Sequence, residues 1–289
     1  MVCQDKNKYD SKKYRLVVRR TNARILTQVI YSTLTGDRVL CAAESDELRN
    51  HGLNAGLTNY SSAYATGLLI ARRLLKQVGL SNDYKGQEKV DGEYYNSNDH
   101  MEGDRRPFKA LLDVGLCRTT TGVRLFGTLK GACDGGLDVP HSNKRFPGYV
   151  RAHVEVVTNK RGKKTDEAEK SEAQYNAGVH RDRIMGVHVT KYMNEMKKED
   201  PEKFKRHFSQ WTKTLEKAKA KTCEDIYKKV HAAIRSNPDR QKKAGNKKPT
   251  RKVVVKGYER VQQDSKGRKW LRHFRINLEE RNARIAKKF

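Results

Sequence analysis

The chain has 289 residues, with 62 Lys plus Arg against 34 Asp plus Glu, a formal net charge of +28, and only 36% hydrophobic residues. Such a charge repels itself unless a polyanion neutralises it, and nucleic acid does so with release of condensed counterions. No apolar run approaches the length of a membrane span, which makes a membrane a poor second to nucleic acid, and the five scattered cysteines (Cys3, Cys41, Cys117, Cys133, Cys223) form no Cys-x-x-Cys pair, which disfavours a zinc ribbon or disulfide framework.

Met1-Val2-Cys3 leads directly into polar sequence, so the reading is a reduced, intracellular chain without a secretory signal. Tyr14–Arg19 is β-rich, Thr21-Asn22-Ala23-Arg24 supplies a turn, and Ile25–Leu34 makes a second strand. Thr35-Gly36-Asp37 connects tightly into a third strand, Val39–Ala42, completing an antiparallel meander. Tyr60, Tyr64, Gly67, Leu68, Ala71, Leu75 and Val78 fall at helical spacing, with Thr58 or Asn59 as cap and Gly79 as stop. Arg72, Arg73 and Lys76 lie away from that stripe. Ser81–Arg105 reads as a loop, Lys109–Leu116 as a fourth strand and Val123–Cys133 as a second helix, whose Gly127 and Gly131 allow close approach to a neighbour.

The fold class is therefore α/β: a three-stranded antiparallel meander plus one further strand with two helices, followed by a helical extension and a basic C-terminal tail. The predicted organisation is a core over 1–136, a basic loop and charged flexible insertion over 137–175, a helical region over 176–238 and a tail over 239–289. Helices are expected near Val179–Lys198, after Asp200-Pro201, and after Thr222 until Asn237-Pro238. The tail is rich in Lys and Arg, with Glu259 and Asp264 the acids between 242 and 272.

Catalytic readings fail on chemistry. Gly122 and Gly127 have a phosphate-loop gap, but Thr128-Leu129 follows where Lys-Ser or Lys-Thr is required. The element order resembles the ribonuclease H fold, whose two-metal chemistry needs converging carboxylates. The first strand and first helix contain none, and Asp113 alone cannot hold two metals. No histidine pair or nucleophile elbow appears, so neither enzyme nor cofactor is expected.

The nucleic-acid signal is denser. Lys6, Lys8, Tyr9, Lys12, Lys13, Tyr14 and Arg15 mix cations with aromatics, and so do His141-Ser142-Asn143-Lys144-Arg145-Phe146-Pro147-Gly148-Tyr149. Cations position phosphates while rings and amides engage unpaired bases. For each lysine the competing reading is a solvated charge, and for Tyr9, Tyr60, Phe146 and Tyr149 it is core packing.

Several blocks resemble the ribosomal protein family that pairs eukaryotic L-five with bacterial L-eighteen. They are Gln4–Tyr9, Lys13-Tyr14-Arg15, Gly56–Tyr60, Ala65–Leu75, Arg118–Gly122, Phe126–Ala132, Asp134–Leu137, Pro140–Tyr149, His180–Gly186 and His231–Arg235. The resemblance implies a non-catalytic constituent of the cytosolic large subunit, with nuclear and nucleolar passage during assembly. It implies 5S rRNA, large-subunit rRNA and neighbouring proteins, including a second 5S-associated one, as partners. Cations in the matching blocks become candidate RNA contacts: Lys6, Lys8, Lys12, Lys13, Arg15, Arg19, Arg72, Arg118, Lys130, Lys144 and Arg145. Polar and aromatic candidates are Tyr9, Asn22, Gln28, Asn59, Tyr60, Thr119, Thr120, Thr121, His141, Asn143, Phe146 and Tyr149. Family members open with a longer arginine-rich segment and have a shorter 150–175 stretch, and after Pro238 this sequence keeps their basic character but few of their residues. The remaining alternatives are a non-ribosomal RNA-binding module and a vestigial nuclease.

Overall fold

In the computed structural model, residues 12–33, 35–100, 105–151 and 173–240 are described, together with the backbone of five short strands. The meander forms as expected from β1 (Tyr14–Arg20), β2 (Ile25–Thr33) and β3 (Gly36–Glu44). Alternate residues of these strands, Leu16 and Val18, Ile25 and Val29, Cys41 and Ala43, are buried, as a sheet covered on one face requires. Thr27 shares that face because its hydroxyl donates to the Ala43 carbonyl at 2.9 Å.

The fourth strand is shorter than the Lys109–Leu116 run predicts. β4 (Leu111–Asp113) lies parallel to β1, giving the sheet order β3-β2-β1-β4. Lys109 instead bridges Asp138, and beyond Asp113 the chain turns at Gly115 against the Arg19 guanidinium. Leu116 is left fully exposed. Hydropathy marked an apolar run, while β1 pairs with only three residues of it.

Helix α1 (Tyr60–Val78) starts at the Asn59 cap, whose side chain accepts from Ser62 N–H, and stops at Gly79. It packs on the sheet with one side and on α2 (Arg124–Asp134) with another. The two helices approach closely through glycine: a Cβ on Gly67 would stand 2.1 Å from the Thr128 carbonyl oxygen, and one on Gly131 2.0 Å from that of Tyr64. A 3-10 segment, Ser45–His51, which the sequence reading missed, joins β3 to α1.

The expected helix over Val179–Lys198 is two helices, α3 (Ala177–Met185) and α4 (Val187–Glu199). Gly186 breaks them with φ +71, and the Tyr227 ring occupies the space a side chain there would need. The next helix also divides, into α5 (Pro201–His207) and α6 (Ser209–Ala218), at buried Phe208, which packs against Phe204 and Tyr192. α7 (Cys223–Ser236) begins at a Thr222–Asp225 capping box and ends before Pro238, as predicted.

Short antiparallel pairs join Tyr149–Val150 to Gln174–Tyr175 and Val154–Glu155 to Glu169–Lys170, at the borders of the insertion expected to be flexible. The chain forms two compact units, Met1–Gln241 and Lys242–Phe289. Within the second, Val255–Lys256, Glu259–Gln263 and Lys269–Leu271 make a three-stranded antiparallel sheet, a feature the basic composition of the tail concealed.

Candidate nucleic-acid interface

Two of the predicted basic segments meet. The loop Arg118–Gly122 leads into α2, and the loop His141–Tyr149 contains a 3-10 turn at Asn143–Arg145. They are tied together by the Gly122 N–H donating to the Arg145 carbonyl at 2.9 Å. Phe146, with no exposed surface, plugs the second loop into the core. Arg118, Thr119, Thr120, Thr121 and Lys144 are exposed, while Arg145 and Tyr149 are half-buried. The result is a surface where two chain segments present guanidinium, ammonium and hydroxyl groups side by side, the donor set that engages phosphates and ribose or base edges.

The uncovered face of the sheet carries a second group. Arg15 bridges Asp37 at 2.6 Å and Asp113 at 2.9 Å, and Arg19 reaches the other Asp113 oxygen at 2.9 Å. Burial pushes the Asp113 carboxyl up, but the Arg19 hydrogen bond, the Gly115 N–H and the two arginine charges outweigh it and hold the group below its ordinary value. Asp113 is thereby engaged by cations rather than presented to a metal. Lys12 stands 5.0 Å over the Tyr31 ring, Asn22 is exposed in the β1–β2 turn, and Gln28 and Lys13 are half-buried. Lys6, Lys8 and Tyr9 lie outside the described residues.

Other candidates are withdrawn from the surface. Lys130 is fully buried, its ammonium 2.6 Å from Asp134, whose second oxygen accepts from the Tyr64 hydroxyl at 2.7 Å. Arg72 is buried, donating to the carbonyls of Tyr84 at 2.7 Å and Ser81 at 3.0 Å. Its neighbour Arg73 is also buried, bridging Glu47 and donating to Pro238 and Ala42 carbonyls. Helix α1 is enclosed on more sides than its apolar stripe implies, so these guanidiniums serve carbonyls that would otherwise be unpaired.

Tyr60 and Phe146, expected as possible base-stacking rings, both converge on buried His180. The Tyr60 hydroxyl lies 2.8 Å from Nε2, and Phe146 stacks on the imidazole at 4.6 Å. The Tyr175 hydroxyl donates to the Gly92 carbonyl, so its oxygen is left to accept from Nδ1–H at 2.7 Å, and Nε2 accepts from Tyr60. Burial lowers the His180 pKa to about 4, which keeps this ring neutral. Asn59 is engaged internally too, capping α1 and donating to the Tyr227 hydroxyl at 2.9 Å. His141 is half-buried with Nδ1 2.7 Å from the Val139 carbonyl. Neighbouring Asn143 has a buried Oδ1 without a partner among the described residues.

The sequence reading passed over Arg20, Arg124 and Arg183. Arg124 begins α2 beside the threonine loop, and burial together with the charge of Arg20 lowers its pKa. The signal that could have found Arg183 was its place inside the His180–Gly186 block.

Comparison with known proteins agrees along the chain. A family described as "Ribosomal large subunit proteins 60S L5, and 50S L18" matches residues 1–142, and one described as "Ribosomal L18 C-terminal region" matches residues 223–289. The second match runs through the tail, which shares more with that family than basic character. A Tetrahymena thermophila protein named "Large ribosomal subunit protein uL18" is 52% identical over 87% of this chain and 79% of its own length. Proteins of the same name from Eimeria tenella and Oryza sativa subsp. indica are 46% and 49% identical, over 100% and 86% of the chain and 85% and 74% of their own lengths.

Proposed function

Because this chain belongs to the family of large-subunit ribosomal proteins that holds 60S L5 and 50S L18, a structural constituent of the large ribosomal subunit and not an enzyme, we propose that it binds 5S rRNA and helps seat it in the central protuberance. It would do so in the cytosolic ribosome after passage through the nucleus and nucleolus, beside large-subunit rRNA and a second 5S-associated protein. The observation that carries this reading is the joining of Arg118–Gly122 to the Lys144–Arg145 loop through Gly122 and Arg145. Phosphate neutralisation supplies affinity, and loop shape with threonine hydroxyls supplies selectivity.

Arg118, Thr119, Thr120, Thr121, Lys144 and Arg145 are the primary contacts in this reading. Arg15, Arg19, Lys12, Lys13, Asn22 and Gln28 on the sheet face are secondary, with Tyr149 and Asn143 at the margin and Lys6, Lys8 and Tyr9 toward the start of the chain. The ion pairs of Arg15 and Arg19 do not oppose this role, because they are half-buried or exposed rather than enclosed and a phosphate can replace the carboxylate as partner of either guanidinium. Reversing Lys144 and Arg145 to Glu is expected to weaken retention of a 5S transcript in a filter-binding titration at least tenfold. Unchanged retention would remove both residues from the interface.

A further inference from the structure

A cavity of about 510 Å³ opens beside the two loops, lined by Tyr60, Thr121, Arg124, Gly148, Arg183 and His188 among others. This lies within the roughly 300–1,000 Å³ of small-ligand sites and leaves room for a nucleotide. Its walls come from distant parts of the chain: Tyr60 opens α1, Arg124 opens α2, and His188 is in the first turn of α4.

Charge marks this hollow. Several arginines elsewhere stand against carboxylates, as Arg15, Arg24, Arg73 and Arg181 do. Here the guanidiniums of Arg124 and Arg183 border one hollow with the His188 imidazole, which burial keeps neutral by lowering its pKa, and its described lining includes no Asp or Glu. Two cations facing a space whose lining holds no carboxylate raise the free energy until an anion enters. The geometry is prearranged. Arg124 is anchored on the Thr58 carbonyl at 2.5 Å, and the Arg183 carbonyl accepts from the Ser61 hydroxyl at 2.8 Å, fixing α3 to α1. Neither α2 nor α4 has a side-chain cap, so the positive ends of their dipoles add to the same field.

We propose that this cavity seats one nucleotide of the bound RNA, with its phosphodiester held between Arg124, Arg183 and the Thr121 hydroxyl. The inference rests on the RNA-binding reading and extends the interface from the loops onto α3 and α4. It gives the helical region a direct part in recognition, beyond packing against α1.

The test is a filter-binding titration of a 5S rRNA transcript against the full chain over a series of KCl concentrations. The variants are Arg183→Gln and, as a control of equal charge change outside the lining, Lys205→Gln, exposed on α5. Arg183→Gln is expected to weaken binding about tenfold, the loss of one charge-assisted contact. It should also reduce the slope of log K against log[salt] by about 0.7–0.9, one phosphate's worth, while Lys205→Gln moves affinity less than about twofold, as a single solvated charge should. Equal behaviour of the two variants overturns the cavity and leaves 5S binding intact. A wild-type chain indifferent to the transcript at low salt overturns the 5S reading and the inference with it. Should Arg183→Gln not fold, as judged by its melting midpoint, Thr121→Glu replaces it, placing a carboxylate at the rim; unaltered affinity there also overturns the cavity.

Discussion

Lys130 and Lys144 stand in similarly basic, glycine-containing sequence and meet opposite fates. Lys130 lies on α2, where helical spacing brings Asp134 one turn away and the packing of α1 closes over both. Lys144 lies on a one-turn loop with no acid at that spacing and remains exposed. The same contrast separates Arg72 and Arg73, enclosed among carbonyls, from Arg118 on its open loop. In a chain this basic, cation density does not locate an interface. What locates it is the difference between cations that regular structure can neutralise internally and those it cannot.

The largest expected effect tests the internal side of that contrast. Lys130→Met removes the ammonium that offsets the burial-raised Asp134 carboxyl, which must then protonate or stay buried without a counter-charge, and should lower unfolding free energy by about 3–5 kcal/mol in urea titration. A loss under about 1 kcal/mol would return Lys130 to the surface set. Gly131→Ala forces α1 and α2 apart at the Tyr64 carbonyl and should cost about 3 kcal/mol, read from the same titration.

Acid should expose the His180 hub. Its folded-state pKa of about 4 lies below the ordinary 6.5, so the neutral ring's contribution is complete above pH 6.5 and declines as pH falls through 6.5 toward 4. The full loss is about 3 kcal/mol. Urea midpoints between pH 7 and 4 should show the decline, and His180→Gln should make it shallower, the remainder belonging chiefly to buried His231, whose pKa burial lowers to about 3. The smallest effect belongs to the exposed side: Thr119→Val with Thr120→Val should leave stability unchanged and weaken 5S binding by roughly fivefold, about 1 kcal/mol for lost hydroxyl contacts.

Much of this fold was readable from local pattern. The meander and the capped ends of α1 and α7 depend on residues close in sequence, and Gly127 with Gly131 marked a helix able to meet a neighbour closely, although that neighbour, α1, lies far back along the chain. The truncation of β4 and the breaks at Gly186 and Phe208 were not, because they depend on partners far along the chain: β1 for the strand, the Tyr227 ring for Gly186. The candidate contacts divide the same way. Arg118–Thr121 and Lys144 were found by residue type and remain accessible, whereas Tyr60, Asn59 and Phe146 had the right chemistry for RNA but are held by His180 and Tyr227.

Sequence by itself determined that this is a polyanion-binding α/β protein of a ribosomal family, because net charge, hydrophobic period and long matching blocks are properties of order and composition. Tertiary structure alone decided which cations face outward and that Thr121, Arg124, Arg183 and His188 border one space. Burial and the meeting of distant helix ends are set by long-range packing, and no local window contains the partner that neutralises a charge or leaves it open.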